Sequence, residues 1–144
     1  CETGAIRAPA EQRQAMREFG LRLGMAFQIV DDLLDYTGDA TITGKPVGAD
    51  LREHKVTLPL IYALPRLSAR QRREVSALMD TETPTDAQIA AVVEAVTETG
   101  GLDYARERAT SLSTGAEAAL EVLAPSPARE ALRASIPFVL DRRS

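Results

Sequence analysis

The sequence predicts an all-α fold, and three observations support that prediction. Apolar residues recur at steps of three and four along several segments, which is the spacing of one helix face. No segment alternates apolar and polar residues for long enough to demand a strand. Aromatic residues make up only 4% of the 144 residues. Alanine and leucine recur throughout, and this bias favours helix over strand.

The first predicted helix runs from about residue 15 to residue 36. Its spaced apolar residues are Met16, Phe19, Leu23, Ala26, Val30 and Leu33. Further apolar residues fill much of the remaining circumference, so we expect a central helix that is buried on most sides. Gly20 and Gly24 lie on one face. Each glycine inside a helix lowers the stability of the protein by about 1 kcal/mol relative to alanine. Close packing of another helix would explain their presence, so we expect such packing there.

Turn residues and capping patterns divide the rest of the chain into shorter helices. Residues 38–48 are expected to form a loop. Three pairs have the spacing of a capping box: Asp50 with Glu53, Ser68 with Gln71, and Thr85 with Gln88. Two further starts have a capping residue just before a proline: Thr57 with Pro59, and Ser126 with Pro127. The expected later helix ends are Gly100 with Gly101, and Leu123 ahead of Pro125.

The composition narrows the class of protein. The length predicts a single domain over residues 1–144, and the net charge of −4 without a basic stripe argues against nucleic acid as a partner. The longest apolar run, residues 56–64, is far shorter than the roughly 20 residues that cross a bilayer, so we expect no transmembrane segment. The single cysteine, Cys1, excludes an internal disulfide and fits a cytoplasmic protein. The first residues do not resemble a natural start, which indicates a fragment.

Candidate chemistry is concentrated in residues 27–35, Phe-Gln-Ile-Val-Asp-Asp-Leu-Leu-Asp. Asp31 and Asp35 share one helix face, Asp32 reaches its edge, and Gln28 lies one turn before Asp32. Oxygen ligands without nearby histidine or cysteine suit a hard cation such as Mg²⁺, which shares its shell with phosphates. The alternative is a solvated acidic patch. The apolar residues between the acids argue against it, because buried carboxylates need cations.

Two lysines follow this acidic segment. Lys45 and Lys55 are the only lysines, and the other 15 of the 17 basic residues are arginine. Lysine is a compact point charge on a flexible stem, which suits phosphate oxygens held between a metal and an ammonium. The pattern therefore indicates diphosphate chemistry. The alternatives left open are that Lys45 is a solvated loop residue and that Lys55 is a charge between two helical turns.

Other polar positions are assigned lesser roles. Asp39 and Asp50 are interpreted as turn and cap residues, and Asp50 has the stronger claim to a supporting role at the acid site. His54, the only histidine, is expected to be solvated and without a role. Arg142 and Arg143 are expected to face solvent.

These motifs closely resemble the trans-isoprenyl diphosphate synthases, in particular the long-chain polyprenyl members of the octaprenyl or decaprenyl type that make quinone side chains. The resemblance covers residues 20–64 and rests on FQxxDDxxD at 27–35, GK at 44–45 and KxTLP at 55–59. It implies a helical bundle of the isoprenoid synthase type, of which this chain is the C-terminal half. In that family two aspartate-rich motifs face each other across a deep cavity, and residues 27–35 resemble the second.

The resemblance also implies roles for individual residues. The implied Mg²⁺ ligands are Asp31, Asp32 and Asp35, with Asp31 as the principal one. The implied contacts of the allylic diphosphate are Lys45 and Lys55. The implied pocket residues near the isopentenyl unit are Phe27 and Gln28. On this basis, Asp31, Lys45 and Lys55 are the expected catalytic residues.

The implied reaction is a chain elongation. Mg²⁺ and lysine neutralise the departing diphosphate of an allylic prenyl diphosphate, and the double bond of isopentenyl diphosphate attacks the resulting carbocation. The first aspartate-rich motif is absent from these residues, and the family's enzymes are about twice as long. We therefore expect the chain to be inactive alone and to require its missing N-terminal half, within a homodimer.

Two alternatives come from other classes. The first is a non-catalytic regulatory subunit or interaction module with the same half-fold, against which the acids and both lysines argue. The second is a class I terpene cyclase, which shares the ionisation step. Cyclases usually have a different second motif and aromatic-rich pockets, so the low aromatic content argues against this alternative.

Overall fold

The computed structural model describes residues 9–38 and 47–141, and these form seven α-helices. The first and longest, α1, spans Ala10–Thr37. The others are α2 (Ala49–Arg52), α3 (Leu58–Ala63), α4 (Ala69–Asp80), α5 (Asp86–Glu98), α6 (Gly101–Leu120) and α7 (Pro127–Leu140). Neither range contains a strand, so the all-α prediction is confirmed for them. None of their helices is long and apolar enough to cross a bilayer.

Local capping chemistry determines where several helices begin. The side chains of Ser68 and Thr85 accept hydrogen bonds from the backbone of the third residue of α4 and α5. The glutamine side chains at those third positions accept hydrogen bonds from the backbone N–H groups of the two caps, so two of the three predicted capping boxes are confirmed. Ser126 caps α7, whose first residue is Pro127, as predicted.

The core is built around the packing of α1 along α6. The larger buried cluster joins the C-terminal half of α1 to the helices that follow it, and its fully buried members are Leu51, Leu60, Ala63, Leu78, Val92, Val96 and Ala105. A smaller cluster joins α1 and α6 to α7, around Phe19, Leu120 and Ile136. Each fully buried leucine or valine contributes about 1.5–3 kcal/mol relative to an exposed side chain.

The prediction that α1 is buried on most sides is wrong for the described chain. Its buried residues form a single stripe: Ala15, Phe19, Ala26, Val30, Leu33 and Tyr36. The rest of its surface carries large apolar residues that stay exposed, such as Leu21 at 63% and Met25 at 44%. A β-carbon built on Gly20 or Gly24 would meet nothing within 4 Å. The expected close packing of a helix on these glycines is therefore not found among the described residues.

Gly101, in contrast, allows two helices to approach closely. A β-carbon at this position would overlap the carbonyl oxygen of Pro59 and lie 2.9 Å from the Cγ1 atom of Val96. Glycine therefore lets the start of α6 rest on the start of α3. Gly100, whose φ is 84°, separates α5 from α6 as predicted, whereas Gly101 begins α6 instead of ending α5. The helix α6 ends at Leu120, before the predicted end near Leu123.

An aromatic contact also ties α3 to α6. The rings of Tyr62 and Tyr104 stack with their centroids 4.3 Å apart and 13° between their planes. The guanidinium carbon of Arg66 lies 3.6 Å from the centroid of the Tyr62 ring. Stacked aromatic pairs and cation–π contacts both add to the stabilisation that burial provides.

The two kinds of glycine predict opposite effects of the same substitution. Gly101→Ala should lower the free energy of unfolding by about 1–3 kcal/mol, because the added methyl group overpacks the junction of α3 and α6. Gly20→Ala should raise it by about 0.5–1 kcal/mol, because its methyl group meets open space inside a helix. Urea denaturation of both variants measures the two changes. A destabilising Gly20→Ala would contradict the open face of α1.

Candidate functional site

The predicted acidic residues lie on the side of α1 that faces away from the core. Asp31 is exposed, whereas Asp32 and Asp35 are half-buried. The neighbouring Val30 and Leu33 belong to the buried stripe, and their side chains point into the protein. The apolar residues between the acids therefore leave Asp31 open to solvent, which corrects the expectation of a buried acid cluster.

Asp35 joins α1 to the segment that begins at residue 47. Its carbonyl oxygen accepts a hydrogen bond from the backbone N–H of Gly48 at 2.9 Å. Its carboxylate Oδ2 accepts a second one from the backbone N–H of Asp50 at 3.0 Å. Because the second acceptor is charged, that bond is stronger than a neutral one. The two bonds fix the start of α2 against the last turns of α1.

Asp50 is not the capping residue that the sequence predicted. The helix α2 begins after Gly48, whose φ is 82°, and no side chain caps it. Asp50 is the second residue of α2, and its charge acts on Asp32 and on Lys55. It therefore adds a fourth carboxylate to the acids of α1. We call Asp31, Asp32, Asp35 and Asp50 the acid cluster.

Lys55 lies beside the acid cluster but is paired mainly with another acid. Its Nζ atom is 2.8 Å from Oε2 of Glu53 and 3.9 Å from Oδ1 of Asp50. The hydrogen bond and charge of Glu53 raise the pKa of Lys55, and the charges of Asp50 and Asp35 contribute to the rise. The Lys55 side chain is 59% exposed. A negatively charged ligand can therefore reach the ammonium and compete with Glu53.

Burial and neighbouring negative charge act together on Asp32 within the acid cluster. Burial raises the pKa of Asp32 above its usual 3.8, and the charges of Asp50 and Asp31 raise it further. The hydrogen bond from Gln28, whose Nε2 donates to Oδ1 of Asp32 at 3.0 Å, opposes the rise. A carboxylate whose pKa is raised in this way is stabilised by any cation that binds next to it.

Phe27 and Gln28 extend the site by one turn toward the N-terminus of α1. Both are exposed, Phe27 to 42%, and they precede Asp31 and Asp32 by one helical turn. The predicted site residues that the structure describes therefore lie on one side of α1 or beside its C-terminal end.

Two buried hydroxyl groups lie next to the acid cluster. Tyr36 is 5% exposed, and neither its hydroxyl nor that of Thr57 has a hydrogen-bond partner in the described part of the chain. Burial raises the pKa of Tyr36 to about 12, while the hydroxyl of Thr57 opposes the rise. The charge of Asp35 adds to it. Sequence reasoning missed both residues, although Tyr36 continues the helical spacing of the core stripe.

The expectation that His54 is solvated and has no role was wrong. It is half-buried, its φ is 59°, and its Nε2 lies 2.7 Å from the carbonyl oxygen of Thr81. Because a carbonyl oxygen only accepts, this nitrogen carries the proton. Arg52 pairs with Asp86 at the start of α5. Both contacts fasten the segment before Lys55 to the helices α4 and α5.

Several residues of the sequence analysis lie outside the described ranges. They are Cys1, Asp39, Lys45, Arg142 and Arg143, together with most of the expected loop. The roles expected for them remain predictions.

The donor atoms of the acid cluster fit Mg²⁺ as an open site. Within residues 9–38 and 47–141, no three histidine, cysteine, aspartate or glutamate side chains are arranged to enclose a metal ion. The acid cluster offers carboxylate oxygens on a solvent-facing surface, and burial and neighbouring charge raise the pKa of one of them. Mg²⁺ prefers oxygen ligands and completes its shell with water and substrate phosphates, so an open set suits it.

Known proteins are similar to this chain in sequence and in fold. The family model described as polyprenyl synthetase matches residues 1–96. The all-trans-nonaprenyl-diphosphate synthase (geranyl-diphosphate specific) of Rhodobacter capsulatus is 42% identical over 132 residues, which cover 92% of this chain and 40% of that protein.

Two solved structures are similar over nearly the whole chain. A polyprenyl synthase from Caulobacter crescentus, in complex with calcium and isoprenyl diphosphate, has a TM-score of 0.85 and 34% identity, covering 95% of this chain and 42% of that one. A geranylgeranyl pyrophosphate synthase from Corynebacterium glutamicum, in complex with isoprenyl diphosphate and magnesium, has a TM-score of 0.84 and 31% identity, covering 94% and 39%. This chain spans about 40% of the length of the relatives that it matches. It belongs to the polyprenyl synthetase family.

Proposed function

We propose that this chain supplies one wall of a prenyltransferase active site that joins isopentenyl diphosphate to an allylic prenyl diphosphate and makes an all-trans-polyprenyl diphosphate. We call residues 47–57 the Lys55 segment. The observation that carries this proposal is the attachment of this segment to the acidic end of α1 through the two hydrogen bonds of Asp35. Relatives named for prenyl diphosphate synthesis support the reaction, as do structures solved with isoprenyl diphosphate.

In this proposal the acids of α1 hold the metal ion. Asp31, Asp32 and Asp35 would bind Mg²⁺, with the exposed Asp31 as the principal ligand. When bound, Mg²⁺ would neutralise charge on the departing diphosphate and so lower the barrier to its departure. The relatives solved with calcium or magnesium support the choice of a divalent cation. Gln28 holds the carboxylate of Asp32 through its hydrogen bond.

Lys55 binds the diphosphate in this proposal. Its ammonium exchanges the carboxylate of Glu53 for phosphate oxygens and stabilises the negative charge that develops on them. Lys45, from the segment before α2, has the same proposed role. The exposed ring of Phe27 contributes an apolar surface near the isopentenyl unit, where an aromatic face also favours positive charge.

A complete site needs a second wall. The aspartates of α1 and the exposed apolar residues Leu21 and Met25 share the outer surface of this helix. We expect the opposite wall, with a first aspartate-rich motif, to correspond to the part of the relatives that this chain does not match. The complete enzyme is expected to be a homodimer.

Binding of inorganic diphosphate in the presence of Mg²⁺ tests the proposed function directly. The 144-residue chain should bind the pair, and Asp31→Asn should weaken binding by about 10- to 100-fold, the range found when groups that support a metal are removed. Isothermal titration calorimetry measures the affinity. Asp103→Asn removes an exposed helical carboxylate far along the sequence and is the matched control. Equal affinities of wild type, variant and control would exclude the acid cluster as the metal site.

The ion pair of Lys55 predicts opposite effects of two neighbouring substitutions. Lys55→Gln should weaken diphosphate binding, because it removes the ammonium. Glu53→Gln should strengthen it by about two- to fivefold, because the exposed Glu53 carboxylate no longer competes with the ligand for Lys55. Titrations at low and high salt measure both effects, which salt should reduce. Unchanged binding in Lys55→Gln would remove this lysine from the site.

The raised pKa of Asp32 predicts a cost in stability when no metal is present. The folded state holds the Asp32 proton more tightly than the unfolded state. The free energy of unfolding therefore falls as pH rises from about the usual value of 3.8 through the raised value, and stays lowered at neutral pH. Asp32→Asn removes this ionisation. The variant should therefore be more stable than wild type at pH 7, and this difference should disappear at pH 3. Thermal unfolding in the presence of a chelator measures this difference. When Mg²⁺ and diphosphate are added, wild type should become the more stable of the two proteins.

A further inference from the structure

We infer that His54 is a positioning residue, whose left-handed backbone and side-chain hydrogen bond together hold Lys55 beside the acid cluster. The role of Lys55 as a diphosphate ligand rests on the proposed function. The anchoring of the Lys55 segment by His54 does not.

The end of α2 is a turn that usually contains glycine. The backbone N–H of His54 donates to the carbonyl oxygen of Leu51 at 3.0 Å, and that of Lys55 donates to the carbonyl oxygen of Asp50 at 2.8 Å. This pair of bonds is the Schellman motif, which ends a helix through one residue in the left-handed conformation. His54 is that residue, with a φ of 59°, and the N–H of Lys55 closes the motif. The direction in which the chain presents Lys55 therefore depends on the backbone of His54.

A histidine in this turn costs free energy that a glycine would not. In the left-handed conformation the β-carbon lies too close to the carbonyl oxygen that follows, and glycine has no β-carbon. Within residues 9–38 and 47–141, His54 is the only residue other than glycine that has a positive φ. Such strain persists where the surrounding structure holds the residue in place, and it is concentrated at functional sites.

The side chain of His54 supplies the contact that holds it in place. Its Nε2 atom lies 2.7 Å from the carbonyl oxygen of Thr81, in a partly buried position. Thr81 is itself fixed, because its N–H donates to the carbonyl oxygen of Leu78 and its hydroxyl donates to that of Ala77. The same hydroxyl accepts a hydrogen bond from Nε2 of Gln88, on α5. A glycine would form the same turn without this link to the junction of α4 and α5.

The Lys55 segment is therefore attached on two sides. Asp35 holds its start to the acidic end of α1. His54 holds its later part to the end of α4, and Arg52 pairs with Asp86 at the start of α5. Lys55 directly follows the last of these attachments, so its flexible side chain extends from a fixed backbone.

The alternative is that His54 contributes only to the general stability of the fold. Two substitutions at this position distinguish the alternatives. His54→Gly removes the hydrogen bond and relieves the backbone strain, whereas His54→Ala removes the bond and keeps the strain. Gln71→Ala is the matched control, because Gln71 is a buried side chain that bonds Glu98 on α5 from the opposite end of α4 to Thr81.

The first measurement is amide hydrogen exchange of Lys55, whose N–H closes the turn. His54→Gly should speed this exchange by about fivefold, the effect of one ordinary hydrogen bond. His54→Ala should speed it further, because alanine does not adopt the left-handed backbone freely. Gln71→Ala should leave it unchanged, and amides of α7 should exchange as in wild type in all three variants. Unchanged exchange at Lys55 in the His54 variants, or equal acceleration throughout the protein, would overturn the inference.

The second measurement is the affinity for inorganic diphosphate with Mg²⁺. His54→Gly should weaken it about fivefold in the wild-type background and have no effect in a Lys55→Gln background, because His54 acts through Lys55. Equal weakening in both backgrounds would refute positioning. If the wild-type chain does not bind diphosphate, the proposed function fails, and the exchange at Lys55 still decides whether His54 holds this segment.

Discussion

The geometry of the candidate site depends on Asp35, because this one residue accepts two backbone hydrogen bonds from the start of the segment that begins at residue 47. The same segment is fixed on its other side. A β-carbon at Gly48 would overlap the side chain of Ile89, and Leu51 is fully buried. Lys55 therefore follows a short stretch that is held by both the acidic helix and the core. The charge of a flexible side chain is directed by a rigid backbone.

The acid cluster lowers the stability of a helix that the core otherwise stabilises. Like charges gather around a partly buried carboxylate, and the described residues offer Lys55, which Glu53 already engages. Proteins tolerate such local strain at sites where a ligand relieves it. The buried stripe of α1 carries the compensating interactions on the opposite side of the same helix. The helix α1 thus carries its stabilising contacts on one face and the candidate site on the other.

Local signals in the sequence predicted the parts of the fold that depend on neighbouring residues. Ser68 and Thr85 capped their helices as expected, because both partners of each bond lie within one turn. Predictions that depended on distant partners were less reliable. The packing expected at Gly20 is not found in the part of the chain that the structure describes, and His54 is held by Thr81, which lies far from it in the sequence. No local pattern shows which face of a long helix will be covered.

The same distinction between local and distant signals applies to the candidate site. Helical periodicity alone placed Asp31 and Asp35 on one face. The nearness of Lys55 was suggested only by the use of lysine at positions 45 and 55 alone and by the resemblance to a family, because residues 36–54 separate Lys55 from the acids of α1 in sequence. The pairing of Lys55 with Glu53 could not be foreseen, since two exposed charges two positions apart can adopt many arrangements. The sequence predicted that the Lys55 segment carries a charge for the candidate site. The contacts of that charge could be seen only in the tertiary structure.

The stack of Tyr62 on Tyr104 gives this protein an internal spectroscopic reporter. The chain contains no tryptophan and three tyrosines, so its near-ultraviolet absorption comes almost entirely from the tyrosine rings. Two of these rings lie 4.3 Å apart and nearly parallel, so their transitions couple. The near-ultraviolet circular dichroism of the unlabelled protein will therefore be dominated by the junction of α3 and α6. Since α3 begins directly after the Lys55 segment, this signal reports the order of the candidate site from the side of the core.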